Sequence, residues 1–150
     1  MISILRTTSE NSDFITLVRL LDTDLAIRDG DEHSFYAQYN KVATIKHVVV
    51  AYENDQPVSC GAIKEYEPGV MEVKRMYTLP EYRGKGIASK VLKELELWAS
   101  ELSYNKCILE TGKKQPEAIR LYQKAGYTII ENYGQYKNVE NSICMTKSIL

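Results

Sequence analysis

The stretch Met71–Lys90, MEVKRMYTLPEYRGKGIASK, decides how the rest of the chain is interpreted. A strand pattern ends at Thr78, a turn follows at Pro80, and the glycine-containing crossing RGKGIA (83–88) opens an amphipathic helix. Backbone N–H groups at such a helix start have no partner inside the helix, and the positive end of the helix dipole lies behind them. The stretch therefore predicts an anion site, most naturally for phosphate groups, and we call residues 83–88 the phosphate turn.

Two common phosphate-binding motifs do not match this turn. The P-loop requires Gly-Lys followed by Ser or Thr, whereas Lys85 is followed by Gly86. The dinucleotide fingerprint would place glycines at positions 84, 86 and 89, but residue 89 is Ser. The pattern that remains is Arg-x-x-Gly-x-Ala directly after a strand.

A second motif lies downstream at 118–127, AIRLYQKAGY. Together the two motifs resemble the signatures of the GNAT superfamily of acetyl-CoA-dependent N-acetyltransferases, Gln/Arg-x-x-Gly-x-Gly/Ala and Ala-x-x-Leu-Tyr-x-Lys-x-Gly-Phe/Tyr. The resemblance covers about residues 71 to 127. The family usually has Asn at the start of the second signature, where its side chain contacts the pantetheine arm. This chain has Gln115 there, which keeps the amide and adds one methylene.

The resemblance and the order of the elements predict a mixed α/β, GNAT-like fold of about seven strands and about four helices. The sheet is expected to be antiparallel at first and parallel around the phosphate turn, because a strand, helix, strand unit joins parallel neighbours. Ser12 is the predicted cap of the first helix, and Phe35, Tyr36 and Tyr39 suggest a second short helix. The predicted strands are Ile2–Thr7, His47–Glu53, Val58–Lys64, Met71–Thr78, Lys106–Glu110, Tyr127–Glu131 and Ser142–Ile149.

Length and composition exclude several classes of protein. A chain of 150 residues fits one domain, 1–150. A net charge of −1 argues against general nucleic-acid binding, and no apolar run is long enough to span a bilayer, so we expect a cytoplasmic protein with neither nucleic-acid nor membrane partners. Three widely spaced cysteines without a C-x-x-C pair favour buried thiols over a metal site. The sequence leaves a homodimer open.

The resemblance implies acetyl-CoA as the cofactor. Backbone amides of the turn would cradle the pyrophosphate, two glycines would allow close approach, and basic side chains would add positive charge. A backbone N–H near Met76 or Tyr77 would stabilise the oxyanion. The competing interpretation is a helix start whose glycines serve only turn geometry. The predicted cofactor-binding residues are Met76, Tyr77, Arg83, Gly84, Lys85, Gly86, Ile87, Ala88 and Gln115.

Two residues are predicted to move protons. In the family the tyrosine of the second signature, here Tyr122, often protonates the coenzyme A thiolate; the alternative is a core tyrosine. Glu72 lies at the spacing from Arg83 that the general-base glutamate has in the family's histone acetyltransferases. It could equally form an exposed pair with Lys74, because the two share a strand face, and leave proton removal to water.

The sequence leaves the acceptor and the function class open. Between Asp22 and Glu32 there are five acidic residues against Arg28 alone, which would suit a cationic amine, although a solvated loop is the simpler interpretation. The leading hypothesis is an N-acetyltransferase acting on a primary amine of a small molecule or peptide. The alternative is a non-catalytic acyl-CoA-binding sensor or regulatory module.

Overall fold

The computed structural model describes residues 1–30 and 44–150, without the side chain of Asp29. Within these ranges seven strands form one sheet and three α-helices pack on it. The predicted second short helix, suggested by Phe35, Tyr36 and Tyr39, lies outside the described residues. No described helix combines the length and apolar character needed to cross a membrane. The strands are β1 (Ile2–Thr7), β2 (His47–Glu53), β3 (Gln56–Glu67), β4 (Val70–Thr78), β5 (Lys106–Gly112), β6 (Thr128–Ile130) and β7 (Ser142–Ser148), and the helices are α1 (Ser12–Asp29), α2 (Ile87–Glu101) and α3 (Pro116–Lys124).

The sheet confirms the predicted mixed topology. Its strand order is β1-β2-β3-β4-β5-β7-β6, and β4 with β5 is the parallel pair among otherwise antiparallel neighbours in the described chain. That parallel pairing covers only Val70–Glu72 against Lys106–Ile108, although β4 continues to Thr78 and β5 to Gly112. The two central strands therefore separate beyond Glu72 and leave a gap in the middle of the sheet.

Strand β4 carries a bulge inside this gap. Cys60 of β3 pairs with Tyr77 and Ala62 pairs with Lys74, so Arg75 and Met76 both lie opposite Gly61. Arg75 adopts a left-handed backbone with φ +59°, which costs a side-chain-bearing residue roughly 1–2 kcal/mol. A Cβ at Gly61 would collide with Met76 Sδ, so the glycine makes room for the Met76 side chain.

The alternation of β2 divides the core between the two faces of the sheet. Val48 and Val50 pack in the cluster that contains α1, whereas Val49 and Ala51 pack in the cluster that contains α2. On α1 the buried residues are Phe14, Leu17, Val18 and Leu21, and on α2 they include Ile87, Val91, Leu92, Leu95 and Ala99, all at the spacing of one helix face.

The start of α1 differs from the sequence prediction. Asn11, not Ser12, is the N-cap, because its extended backbone lets the side chain accept a 3.0 Å hydrogen bond from the Phe14 N–H. Ser12 is the first helical residue. The choice between two adjacent capping residues depends on which of them has the extended backbone, here Asn11, and local sequence does not specify this.

Candidate active site

Two cavities open where β4 and β5 separate. The larger, about 400 Å³, lies between the end of β4, the phosphate turn, the start of α2 and α3. The smaller, about 120 Å³, lies between α1, β4, β5 and the loop that precedes β7. The cavities meet at side chains that line both of them, namely Leu21, Met76, Gln115, Ala118 and Tyr122.

The predicted phosphate turn lines the larger cavity. Gly84 and Gly86 have φ +77° and +79°, a left-handed conformation that glycine adopts without strain. Gly86 caps α2, no side chain of the described residues caps this helix start, and the first turn of α2 has no acidic residue. A Cβ at either glycine would meet no atom of residues 1–30 or 44–150 within 4 Å. The turn therefore presents unpaired amides to open space, as an anion site requires.

Several basic side chains lie near this turn, and most of them line the larger cavity. Arg83 lies over the Tyr77 ring, 5.5 Å from its centroid, and its Nε donates to the Thr78 carbonyl at 2.9 Å. Arg120 and Lys124 of α3, which the sequence prediction did not single out, line the same cavity. Lys85 instead lies over the Tyr82 ring at 5.3 Å and lines neither cavity.

Tyr122 occupies the junction of the two cavities. Its side chain is buried, and its ring packs edge-on against Tyr127 with centroids 5.8 Å apart. Burial raises the pKa of the Tyr122 hydroxyl above its ordinary value, and the charge of Glu110 raises it further. The hydroxyl therefore stays protonated at neutral pH and can donate a proton. The core location and the predicted acid role are compatible in this geometry.

Glu72 lines the smaller cavity and is buried, with 8 % of its surface exposed. Its Oε2 accepts a 2.7 Å hydrogen bond from the Tyr133 hydroxyl, and its Oε1 lies 3.7 Å from Lys74 Nζ. The pair with Lys74 therefore exists, but the expectation that it is exposed was wrong, because the loop after β6 covers this face of β4. A buried, hydrogen-bonded carboxylate at the cavity wall is a candidate proton acceptor.

The loop between β6 and β7 supplies residues that sequence reasoning left unassigned. Tyr133 contacts Glu72, and Tyr136, which lines the smaller cavity, packs edge-on against Tyr133 with centroids 5.8 Å apart. Burial and then the Glu72 charge raise the pKa of Tyr133, so its phenol remains a donor. The only available signal was the concentration of tyrosines in a polar loop, which did not indicate the strand it covers.

The acidic stretch does not form a free acidic rim in its described part. Asp22 and Asp24 lie on α1, and their partners are Arg75 Nη1 at 2.9 Å and Arg28 Nε at 3.4 Å. Arg28 also forms an ion pair with Glu117 of α3. The remaining acidic side chains, of residues 29, 31 and 32, lie outside the described part of the chain.

The predicted site residues fall into three groups. All predicted cofactor-binding residues except Lys85 line the larger cavity, namely Met76, Tyr77, Arg83, Gly84, Gly86, Ile87, Ala88 and Gln115. Glu72 lines the smaller cavity, and Tyr122 lines both. The roles of these residues remain predictions. The fold nevertheless brings residues as far apart in sequence as Glu72 and Tyr122, 50 positions, to the same gap in the sheet.

Comparison with known protein families identifies this arrangement. A model of the acetyltransferase (GNAT) family matches residues 14–127, which is most of the chain. The chain belongs to the GNAT acetyltransferase family. This GNAT chain is also 34 % identical, over 101 residues, to the uncharacterized N-acetyltransferase YsnE of Bacillus subtilis, an alignment that covers 66 % of this chain and 67 % of that one.

Solved structures share the GNAT fold along the whole chain. A provisionally named acyl-CoA N-acyltransferase from Klebsiella pneumoniae superposes with a TM-score of 0.84 at 26 % identity, covering 100 % of this chain and 99 % of that one. The PaiA N-acetyltransferase of Thermoplasma acidophilum, solved with coenzyme A, superposes with a TM-score of 0.71 at 17 % identity, covering 99 % of both. At that identity the second likeness concerns the fold alone.

Proposed function

We propose that this GNAT acetyltransferase transfers the acetyl group of acetyl-CoA to a primary amine of a small molecule or peptide, by direct attack through a tetrahedral intermediate. The observation that carries the proposal is the junction of the two cavities. A turn with unpaired amides lies at one side of Tyr122, and a buried carboxylate lies in the cavity at the other side. A donor and an acceptor can thus approach one point from opposite sides.

The larger cavity supplies what a coenzyme A ester needs. The amides at Gly86 to Ala88 would bind pyrophosphate oxygens, with Arg83, Arg120 and Lys124 adding positive charge. Gln115 is the N-cap residue of α3, but its side chain makes no capping hydrogen bond to the described residues. The side-chain amide is therefore available to a ligand in the gap between β4 and β5. Membership of the acetyltransferase (GNAT) family supports this choice of ligand.

The proposed reaction assigns one proton to each of two residues. As the amine nitrogen bonds to the thioester carbon, its proton passes to Glu72 directly or through water. A β4 backbone N–H near Met76 or Tyr77 would stabilise the oxyanion, because beyond Glu72 no β4 residue pairs with β5. When the carbon–sulfur bond breaks, Tyr122 protonates the thiolate, which leaves as coenzyme A.

The test is release of free thiol when the protein is mixed with acetyl-CoA and a panel of primary amines. The expected result is amine-dependent thiol release with a matching acetylated product by mass spectrometry. Calorimetric binding of acetyl-CoA without thiol release from any amine would overturn the enzyme proposal and favour the sensor. Absence of acetyl-CoA binding would overturn both.

A further inference from the structure

The smaller cavity combines carboxylates with two cationic side chains. Glu72 and Glu110 line it together with Lys74 and Arg75. Its volume, about 120 Å³, is small beside the roughly 300–1,000 Å³ of pockets that hold drug-sized ligands. Both the charges and the size therefore restrict which group of an acceptor fits there.

Arg75 is fixed in the wall of this cavity by the bulge and by an ion pair. Its backbone has φ +59°, and bulges of this kind redirect a side chain relative to a regular strand. The side chain is only 5 % exposed, and its Nη1 lies 2.9 Å from Asp22 Oδ1 on α1. The bulge thus fixes the backbone of Arg75, and the ion pair fixes its guanidinium.

One nitrogen of this guanidinium has no partner. Among the described residues Arg75 Nη2 is buried without a hydrogen bond, which is uncommon for a buried polar atom and requires an explanation. A guanidinium is a planar fork that matches the two oxygens of a carboxylate. Lys74, 18 % exposed in the same cavity, adds a second cation with three donors.

We propose that the acceptor amine also carries a carboxylate, as a free amino acid does, and that Arg75 and Lys74 bind that carboxylate while the Glu72 side of the cavity receives the amine. This inference rests on the proposed acetyl transfer at the same site. A zwitterion matches both signs of charge in the cavity. A polyamine would bring a second ammonium against the two cations, and the nearby Asp22 and Asp24 are already paired with arginines.

The experiment compares matched acceptors that differ in one group. Each set contains an amino acid, its carboxamide and its decarboxylated amine, for example phenylalanine, phenylalaninamide and phenethylamine, with leucine and methionine sets alongside. The expected result is a kcat/KM at least tenfold higher for the amino acid than for the other two members of its best set. Equal or higher values for the carboxamide or the amine would overturn the inference while leaving acetyl transfer in place.

Variants then test whether Arg75 and Lys74 cause the preference for the amino acid. Arg75→Met and Lys74→Met are expected to raise KM for the amino acid and to reduce its preference over the amine, whereas Arg19→Met, an exposed arginine on α1, should leave the preference unchanged. A preference that survives in folded Arg75→Met and Lys74→Met would overturn the assignment. If thermal melting shows that Arg75→Met does not fold, Lys74→Met and the wild-type panel decide.

A separate measurement distinguishes this inference from the proposed function. If no acceptor releases thiol, the proposed transfer is wrong, and the same sets are titrated calorimetrically into protein saturated with coenzyme A. Tighter binding of the amino acid than of its amine and carboxamide would still support the carboxylate site. Equal binding, or none, would overturn it.

Discussion

The Tyr133 hydroxyl donates a 2.7 Å hydrogen bond to Glu72 Oε2 across 61 positions of the chain. The contact joins a loop that carries no recognised motif to the strand that precedes the phosphate turn. It holds the carboxylate at the wall of the smaller cavity, where Lys74 approaches its other oxygen at 3.7 Å. The candidate base therefore has a fixed orientation, and its role can be tested separately from its ion pair.

Replacing this carboxylate should change the pH dependence of the reaction. If Glu72 is the base, Glu72→Gln is expected to lower kcat/KM roughly 10²–10⁴-fold near neutral pH. The deficit should shrink as pH rises, because an alkylamine with a pKa of about 10.4 then supplies more of its own free base. The measurement is kcat/KM from about pH 6 to 9 on the best amine of the panel.

The control for this prediction is Glu67→Gln, an exposed glutamate at the end of β3. It should leave the profile unchanged. A Glu72→Gln profile that superimposes on wild type over the whole range would remove the base role and leave proton removal to water.

The Tyr122 hydroxyl is expected to matter for turnover and not for cofactor binding. Burial and Glu110 raise its pKa, so it is a protonated donor throughout the neutral range. Tyr122→Phe should lower kcat by roughly 10²–10⁴-fold with little change in the acetyl-CoA KM, since the hydroxyl acts on the leaving thiolate. The measurement is steady-state kinetics on the folded variant.

A neighbouring tyrosine supplies the matched control for that substitution. Tyr127 is equally buried and packs against Tyr122 but lines neither cavity, so Tyr127→Phe should retain turnover. Wild-type kcat in Tyr122→Phe would show that this residue only fills the core.

Adding a side chain at Gly86 of the phosphate turn should weaken the binding of coenzyme A. Gly86→Val places methyl groups in the open space in front of the amides, where the structure has no atom within 4 Å of the added Cβ. Losing one or two charge-assisted contacts of about 1.5–3 kcal/mol each would weaken binding by roughly tenfold or more. Titration calorimetry with coenzyme A measures the effect.

The positive backbone angle of Gly86 is itself a cost to any other residue, so a control is needed. Gly69→Val places a side chain at a similar positive φ, +82°, in the turn between β3 and β4, where the added Cβ would also lie 3.1 Å from Asn105 Nδ2. It should lower the melting temperature without changing coenzyme A affinity. Unchanged affinity in folded Gly86→Val would place the pyrophosphate elsewhere.

The cysteines are expected to be inert in the folded protein. Cys60, Cys107 and Cys144 are buried, and burial raises the pKa values of their thiols to about 12, 11 and 11. Only the thiolate reacts, so at pH 8 a disulfide reagent should label none of them in the native state and all three after unfolding. Rapid labelling of any native cysteine would contradict their placement. The same property keeps the background of a thiol-release assay low.

Sequence reasoning succeeded where a local pattern has one physical meaning. The alternation of apolar and polar residues in β1, the spacing of apolar residues in α2 and the paired glycines at 84 and 86 each imply a conformation or a buried face without reference to the rest of the chain. It failed at Asn11 because two adjacent residues can cap the same helix. It missed Arg75 and Tyr133 because neither a β-bulge nor the strand against which a loop packs produces a periodic pattern in the sequence.

The sequence by itself determined the order of the elements, the parallel β4–α2–β5 unit and the glycine-containing turn before α2, since hydrophobic period, glycine placement and helix start are local properties of the chain. Only the tertiary structure decided which charges face one another. Arg75 meets Asp22 across 53 positions and Glu72 meets Tyr133 across 61. The polarity of the smaller cavity is set by residues distant in sequence, because burial makes side chains find partners wherever the fold brings them together.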